Sequence, residues 1–216
     1  NSYTLTASVL NQWGYNSQST TISIYDDSID SIDPNALSGF NNLNELIFIN
    51  KKLLTIDLEV FKAALNLKAL RLFVPSLNKL TNSKNIKLPN LFIFCLSTNF
   101  TSLSKAMFNS AFPSLYGFST GCFDLNRSEF PNNQIKTIDV HTFEDLSTLV
   151  SLDLGRNLLT SFEYLQIPKN LKQLVINYNN MNYFALSRTM GVLEYLDISN
   201  NRFRSFKSMD FTFLAN

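Results

Sequence analysis

Histidine is almost missing from this chain, and His141 is the only one in 216 residues. A nucleophile–histidine–carboxylate centre needs three converging side chains. The surroundings of His141, Asp139-Val140-His141-Thr142-Phe143, offer no spacing that would assemble one. Cysteine is nearly as scarce, with Cys95 and Cys122 alone, and neither Cys nor His recurs at metal-ligand spacing. The six glycines form no phosphate-cradling loop. Charged residues make up 16% of the chain and nearly cancel, to a formal +1, which implies no bulk attraction to nucleic acid or to an anionic membrane. No apolar run approaches the roughly 20 residues of a membrane span, and no leader pattern is visible. These shortages argue against an enzyme, a metal site, a cofactor, a nucleic-acid partner and a membrane span. Carboxylates such as Glu59, Glu144 and Asp145 then read as solvated surface.

What the chain has instead is a periodic apolar pattern. Four segments run apolar, any residue, apolar, two of any kind, then Asn: Phe94 to Asn99, Leu152 to Asn157, Leu174 to Asn179 and Leu196 to Asn201. Each has a leucine three residues upstream, at Leu91, Leu149, Leu171 and Leu193. That lead leucine recurs at Leu43, Leu67, Leu91 and Leu115 in steps of 24, then at Leu149, Leu171 and Leu193 in steps of 22. The step of 34 from Leu115 to Leu149 places an insertion near residues 124–134. A weaker copy starts at Thr21 with Ile22, Ile24, Asp27, Ile29 and Ile32. About eight repeats therefore fill residues 21–216.

A fixed period of 20–29 residues with this core marks a leucine-rich repeat, and the chain resembles that family over nearly its whole length. The resemblance implies an α/β horseshoe solenoid with a parallel concave β-sheet and an irregular convex side. Ile29-Asp30-Ser31-Ile32 with Leu37 and Phe40, Leu53-Leu54-Thr55-Ile56 with Val60-Phe61, and Ile135-Lys136-Thr137-Ile138 with Phe143 and Leu146 share one pattern. It resembles the longer, Phe-containing repeat of extracellular animal receptors, and the 19 phenylalanines fit a column filling the interior. Residues 1–20 lack the repeat. There Leu5, Val9, Leu10 and Trp13 are spaced for one face of a short helix, which predicts an N-terminal cap over the end of the core. Phe211-Thr212-Phe213-Leu214 falls where the next lead leucine is due, so the C-terminal end is expected to be uncapped and truncated.

Side chains alternate along a strand, so the two template apolars point inward and their neighbours outward. The template Asn follows the strand and is expected to be buried, its amide satisfying backbone groups. In that register Asp27, Lys51, Pro75 and Phe123 stand at the Asn position of the other repeats. Cys95 should point outward opposite Ser119, with Cys122 three residues further on. Such an offset is about 10 Å, beyond the roughly 7 Å between Cα atoms that a disulfide spans, unless the insertion shifts the register. Two sequons occur. Asn99-Phe100-Thr101 places its acceptor at a template position, which argues against a glycan there, while Asn126-Arg127-Ser128 lies in the insertion and makes Asn126 the expected acceptor.

The outward positions of the later repeats are polar. Those of the earlier ones are not: Ile47, Ile49, Phe73, Val74, Ile93 and Cys95 cluster, with Tyr25 at one edge and Glu45, Asn50 and Arg71 as rim. A contiguous exposed apolar patch usually marks a contact. The expected ligand-binding residues are Tyr25, Ile47, Ile49, Arg71, Phe73, Val74 and Ile93. The expected function is non-catalytic recognition of a protein or other macromolecule on the concave face, with homodimerisation through that face also open. The resemblance implies an extracellular or secreted ectodomain of innate-immune or adhesion receptor type. A microbial adhesin or effector and a structural scaffold remain alternatives.

Overall fold

A computed structural model of the chain describes residues 2–108, 110–121, 133–162, 168, 170–185, 192–204 and 209–210. The chain opens with β1 (Tyr3–Leu5) and α1 (Ala7–Gln12). It then alternates a concave strand with a back strand: β2 (Thr21–Tyr25) and β3 (Ile29–Ile32), β4 (Glu45–Ile49) and β5 (Thr55–Asp57), β6 (Ala69–Phe73) and β7 (Lys79–Thr81), β8 (Ile93–Ser97) and β9 (Ser102–Leu103). The alternation continues with β10 (Gly117–Ser119) and β11 (Thr137–Ile138), β12 (Ser151–Asp153) and β13 (Ser161–Phe162), β14 (Gln173–Val175) and β15 (Tyr183–Ala185), β16 (Tyr195–Asp197) and β17 (Met209–Asp210). The even-numbered strands β2 to β16 form one eight-stranded sheet in chain order, parallel throughout. This is a leucine-rich repeat solenoid, as the spacing of the lead leucines predicts.

Every lead leucine from Leu43 to Leu171 is buried, and so are the inward strand pairs Leu46 and Phe48, Leu70 and Leu72, and Phe94 and Leu96. Behind the sheet, Phe94, Phe108, Phe112, Phe118 and Phe143 pack ring against ring at centroid separations of 5.0–6.3 Å. The anticipated phenylalanine core therefore lies where the insertion-bearing repeat meets its neighbours. At the N-terminus, β1 pairs in parallel with β3, so Leu5 belongs to a strand and not to the helix face. Thr6 caps α1 by accepting from the Val9 N–H at 3.3 Å. Leu10 is buried, whereas Trp13 is exposed.

The interior asparagines follow a register that differs from expectation in the first half of the chain. Asn50, not Lys51, is the buried amide of its turn. It donates to the carbonyls of Asp26 (2.6 Å) and Ile29 (2.9 Å) and accepts from the N–H groups of Lys52 (2.8 Å) and Leu53 (2.5 Å). The equivalent residues in the next two turns are Val74 and Thr98, both buried, and Asp26 holds the place in the first. In the later turns Asn157, Asn179 and Asn201 stand where the template puts them. Asn179 accepts from the Leu159 N–H (2.9 Å) and donates to Leu154 (3.0 Å), Ile176 (3.1 Å) and Asn177 (3.1 Å).

The offset has a backbone cause. In the later turns Arg156, Tyr178 and Asn200 each take a left-handed φ, 56°, 51° and 53°. One extra residue is thereby accommodated between the strand and the inward-turning Asn. The earlier turns have no such residue after the strand, so the chain turns inward one position sooner. The insertion also ends earlier than expected. Asn133 is buried, accepts from the Thr98 N–H at 2.8 Å and donates to the Thr120 carbonyl, so it is the ladder amide of the fifth repeat. The remainder of the expected insertion, residues 124–132, lies outside the described residues.

A second column runs along one flank. The residue before the lead leucine is Asn42, Asn66, Asn90 or Asn170, and its side chain donates to a carbonyl of the preceding turn at 2.7–2.9 Å. Thr148 does the same with Leu115 at 2.8 Å.

Candidate functional site

The outward rows of the concave sheet run as the alternation predicts. Ser23, Ile47, Arg71, Cys95, Ser119, Asp153, Val175 and Asp197 are successive cross-strand partners. Tyr25, Ile49, Phe73 and Ser97 form the next row. Five-residue strands give the early half three outward rows, the third formed by Thr21, Glu45, Ala69 and Ile93, whereas the three-residue strands of the late half give two.

Ile47, Ile49, Phe73 and Cys95 come together as an apolar cluster separate from the main core. Phe73 is only 6% exposed and Cys95 2%, with Ile47 and Ile49 partly buried against them. Around this centre Tyr25 is 54% exposed and Ile93 37%. The Arg71 guanidinium Nε donates to Glu45 Oε1 at 2.9 Å, across adjacent strands. Val74 does not join them. It sits one residue beyond β6, where the chain has turned inward, and it is fully buried in the main core, so it is withdrawn from the binding face. Asn50 is withdrawn from the rim for the same reason.

Cys95 is disulfide-bonded, and the one other cysteine of the sequence, Cys122, lies outside the described residues. The expected pairing of Cys95 with Ser119 holds, but the distance argument against a bridge does not. It extrapolated an extended strand to residue 122, and β10 ends at Ser119. Cys95 itself lies on the concave side of the sheet, within the apolar cluster.

One part of the surface escaped the alternation argument. Phe92 and Tyr116, one residue before the outward positions Ile93 and Gly117, are exposed and stack with centroids 4.6 Å apart and 13° between planes. They continue the apolar surface from Ile93 around the edge of the sheet. The signal was present: both residues directly follow lead leucines, in a column whose other members include Asn44, Lys68, Lys172 and Glu194.

The late half of the face is polar and internally connected. Asp153 accepts from the Gly155 N–H (2.9 Å) and the Ser119 hydroxyl (3.1 Å). Burial pushes its carboxyl above the usual aspartate range even so, and the Asp197 charge adds to the effect. For Asp197 burial is outweighed by donation from Ser199 and from Asn177, whose amide lies at 2.6 Å, and its carboxyl is held below the usual range. The Arg156 guanidinium lies over the Tyr178 ring at 4.5 Å. His141 is on the convex side, its Nδ1 2.6 Å from Glu144 Oε2. Lys105 Nζ bridges Glu144 (2.5 Å) and Asp145 (2.9 Å), so these carboxylates are paired rather than simply solvated. Asn126, the expected glycan acceptor, lies outside the described residues.

A leucine-rich repeat family model matches residues 131–181. That segment contains the ladder residues Asn133, Asn157 and Asn179, and the same ladder extends through turns on either side of it. The family match is confined to that segment, and the parallel solenoid that continues on either side of it has the leucine-rich repeat fold. Among solved structures, the TLR13 chain of its complex with ssRNA13 is 20% identical with a TM-score of 0.54, covering 79% of this chain and 28% of its own length. A chain of the octameric complex of Latrophilin 3 (Lec, Olf), Unc5D (Ig, Ig2, TSP1) and FLRT2 (LRR) is 18% identical with a TM-score of 0.57, covering 100% of this chain and 69% of its own. At these identities the likeness is one of fold. This chain thus spans less than a third of the TLR13 chain. No curated protein sequence matches it.

Proposed function

We propose that this chain is a non-catalytic recognition module of an extracellular or secreted protein, of innate-immune or adhesion receptor type, and that it binds a protein on the early concave face. Tyr25, Ile47, Ile49, Arg71 and Ile93 form the contact, extended by Phe92 and Tyr116. The carrying observation is the apolar cluster on the outward side of the sheet, joined to an exposed aromatic pair. Aromatic anchors of this kind dominate binding energy in protein interfaces.

The magnitude bounds the affinity. Full burial of one large apolar side chain contributes roughly 1.5–3 kcal/mol. Phe73 and Cys95 are already shielded from water in the free chain and add little. Ile47, Ile49, Ile93 and Tyr25 are each part-exposed and offer together on the order of 3–6 kcal/mol. Association costs about 4–15 kcal/mol, so a specific complex needs Phe92, Tyr116 and polar contacts as well. The arginines on this face already have partners, Arg71 on Glu45 and Arg156 over Tyr178, which favours a protein over a polyanion.

A binary screen of the intact chain against a panel of cell-surface and secreted ectodomains, with single-stranded RNA and the chain itself as further arms, tests the reading. The double variant Ile49→Asp, Ile93→Asp should remain cooperatively folded and lose at least tenfold in affinity for any partner found. A partner bound equally by both forms would move the interface off this face. Binding of RNA alone would replace the protein reading.

A further inference from the structure

We propose that Asn99 carries an N-linked glycan. The inference rests on the extracellular reading above, because the modification requires passage through a eukaryotic secretory route. The sequon Asn99-Phe100-Thr101 is present, and the one argument against it was the assignment of Asn99 to the buried ladder. The structure removes that argument. Thr98 occupies the ladder position of this turn: it is buried, its N–H donates to Asn133 Oδ1 at 2.8 Å, and its hydroxyl accepts from the Phe100 N–H at 3.2 Å. Asn99 is exposed, and so is Thr101. Among the described residues no hydrogen bond engages the Asn99 side chain. Asn157, Asn179 and Asn201, by contrast, spend every amide hydrogen bond on backbone or neighbouring side chains of the ladder.

The acceptor is also well presented. Phe100 is packed into the core and the Thr101 carbonyl accepts from Lys136 at 2.8 Å, so the tripeptide is anchored on either side of its two exposed side chains. Beside it lies a groove of about 890 Å³ lined by Pro75, Ser76, Asn78, Thr81 and Ser102. These walls belong to the turns around β7 and β9, behind the sheet, so an oligosaccharide there has room and leaves the concave rows uncovered. Attached glycans are bulky and belong on surface loops. In the transfer, Asn99 Nδ2 forms a bond to C1 of the first sugar of a lipid-diphosphate-linked oligosaccharide. The C1–O bond breaks, the diphosphate leaves with the electron pair, and the amide gives up one proton.

The test is the whole chain expressed with a secretory leader in eukaryotic cells. Intact mass is compared with peptide mapping after enzymatic deglycosylation in ¹⁸O water, which converts an occupied Asn to ¹⁸O-labelled Asp. Label at Asn99 in most molecules is expected. Thr101→Ala should abolish it, Thr101→Ser should retain it, and Asn99→Gln should remove one glycan mass without moving the melting temperature of the deglycosylated protein. An unlabelled Asn99 in the secreted wild type overturns the inference. In material from the natural source, a glycan on Asn126 with a bare Asn99 overturns this inference alone. Both sites bare there would overturn the extracellular reading with it.

Discussion

Replacing Asn50 by alanine should destabilise the chain far more than replacing its neighbour Lys51. Asn50 Nδ2 bridges the carbonyls of Asp26 and Ile29, and Oδ1 accepts from the N–H groups of Lys52 and Leu53. The bonds to Ile29 and Leu53 are fully buried; the other two reach partly solvated groups. Alanine leaves the two buried partners unsatisfied, at about 1–3 kcal/mol each, so the loss is on the order of 2–6 kcal/mol. Lys51 is exposed, and its contribution to the turn is its backbone N–H, which donates to Asp27 Oδ1 at 2.7 Å and survives the substitution. Lys51→Ala should therefore stay within about 0.5 kcal/mol of wild type. Equilibrium urea unfolding separates the two. With a slope of about 1–3 kcal/mol/M, Asn50→Ala should lower the midpoint by roughly 1 M or more at unchanged slope, while Lys51→Ala leaves it in place. Equal midpoints, or a larger drop for Lys51→Ala, would refute the shifted register of the early turns.

Two further outcomes follow from the late concave face. A Cβ on Gly155 would fall 2.4 Å from Asn177 Oδ1. Gly155→Ala should thus displace Asn177 from its bond to Asp197 and cost about 1–3 kcal/mol, read as a lower urea midpoint, and adding Asn177→Ala should lower it little further because that bond is already lost. The Asp153 carboxyl is raised in the folded chain, so the fold binds its proton more tightly than the unfolded chain does. That contribution is present at low pH and is lost as pH rises from about 4 through the raised folded value. Asp153→Asn removes the titration, so its melting temperature should gain on wild type between acid and neutral pH. A difference that is flat with pH would rule out the burial of this carboxylate.

How much of this was legible depended on which atoms did the work. The late repeats announce themselves because Asn157, Asn179 and Asn201 act through a side chain that no other residue duplicates, and the inward leucines around them alternate with polar neighbours. The outward rows from Ser23 to Asp197 followed from alternation alone. The early turns misled by one residue because Ile47 and Ile49 are apolar on the outward side too. A strand apolar on both faces carries no mark of where it turns, so Val74 was assigned outward and Asn99 inward. Asn133 was hidden by the insertion that separates it from its own strand. The Cys95 disulfide was not readable because strand geometry says nothing about chain beyond Ser119. The flank column of Asn42, Asn66, Asn90 and Asn170 was readable at the same period as the lead leucines, one residue before each.

The two halves of the concave sheet also differ in how they would tolerate sequence drift. Between β2 and β8 the strands pair over five residues each, and those contacts are made by backbone atoms that every amino acid carries. From β10 onward the pairings shorten to three residues, and one amide per turn ties its neighbours together. In the first half Asp26, Val74 and Thr98 hold the ladder position without a side-chain amide, and the turn at Asn50 is the one that depends on such a tie. The second half has no such latitude, and one substitution at Asn157 or Asn179 removes a tie with no spare. A lineage diversifying its ligand would have freedom to do so on the face spanning Tyr25 to Ile93, where neither strand register nor interior amide restricts the outward side chain.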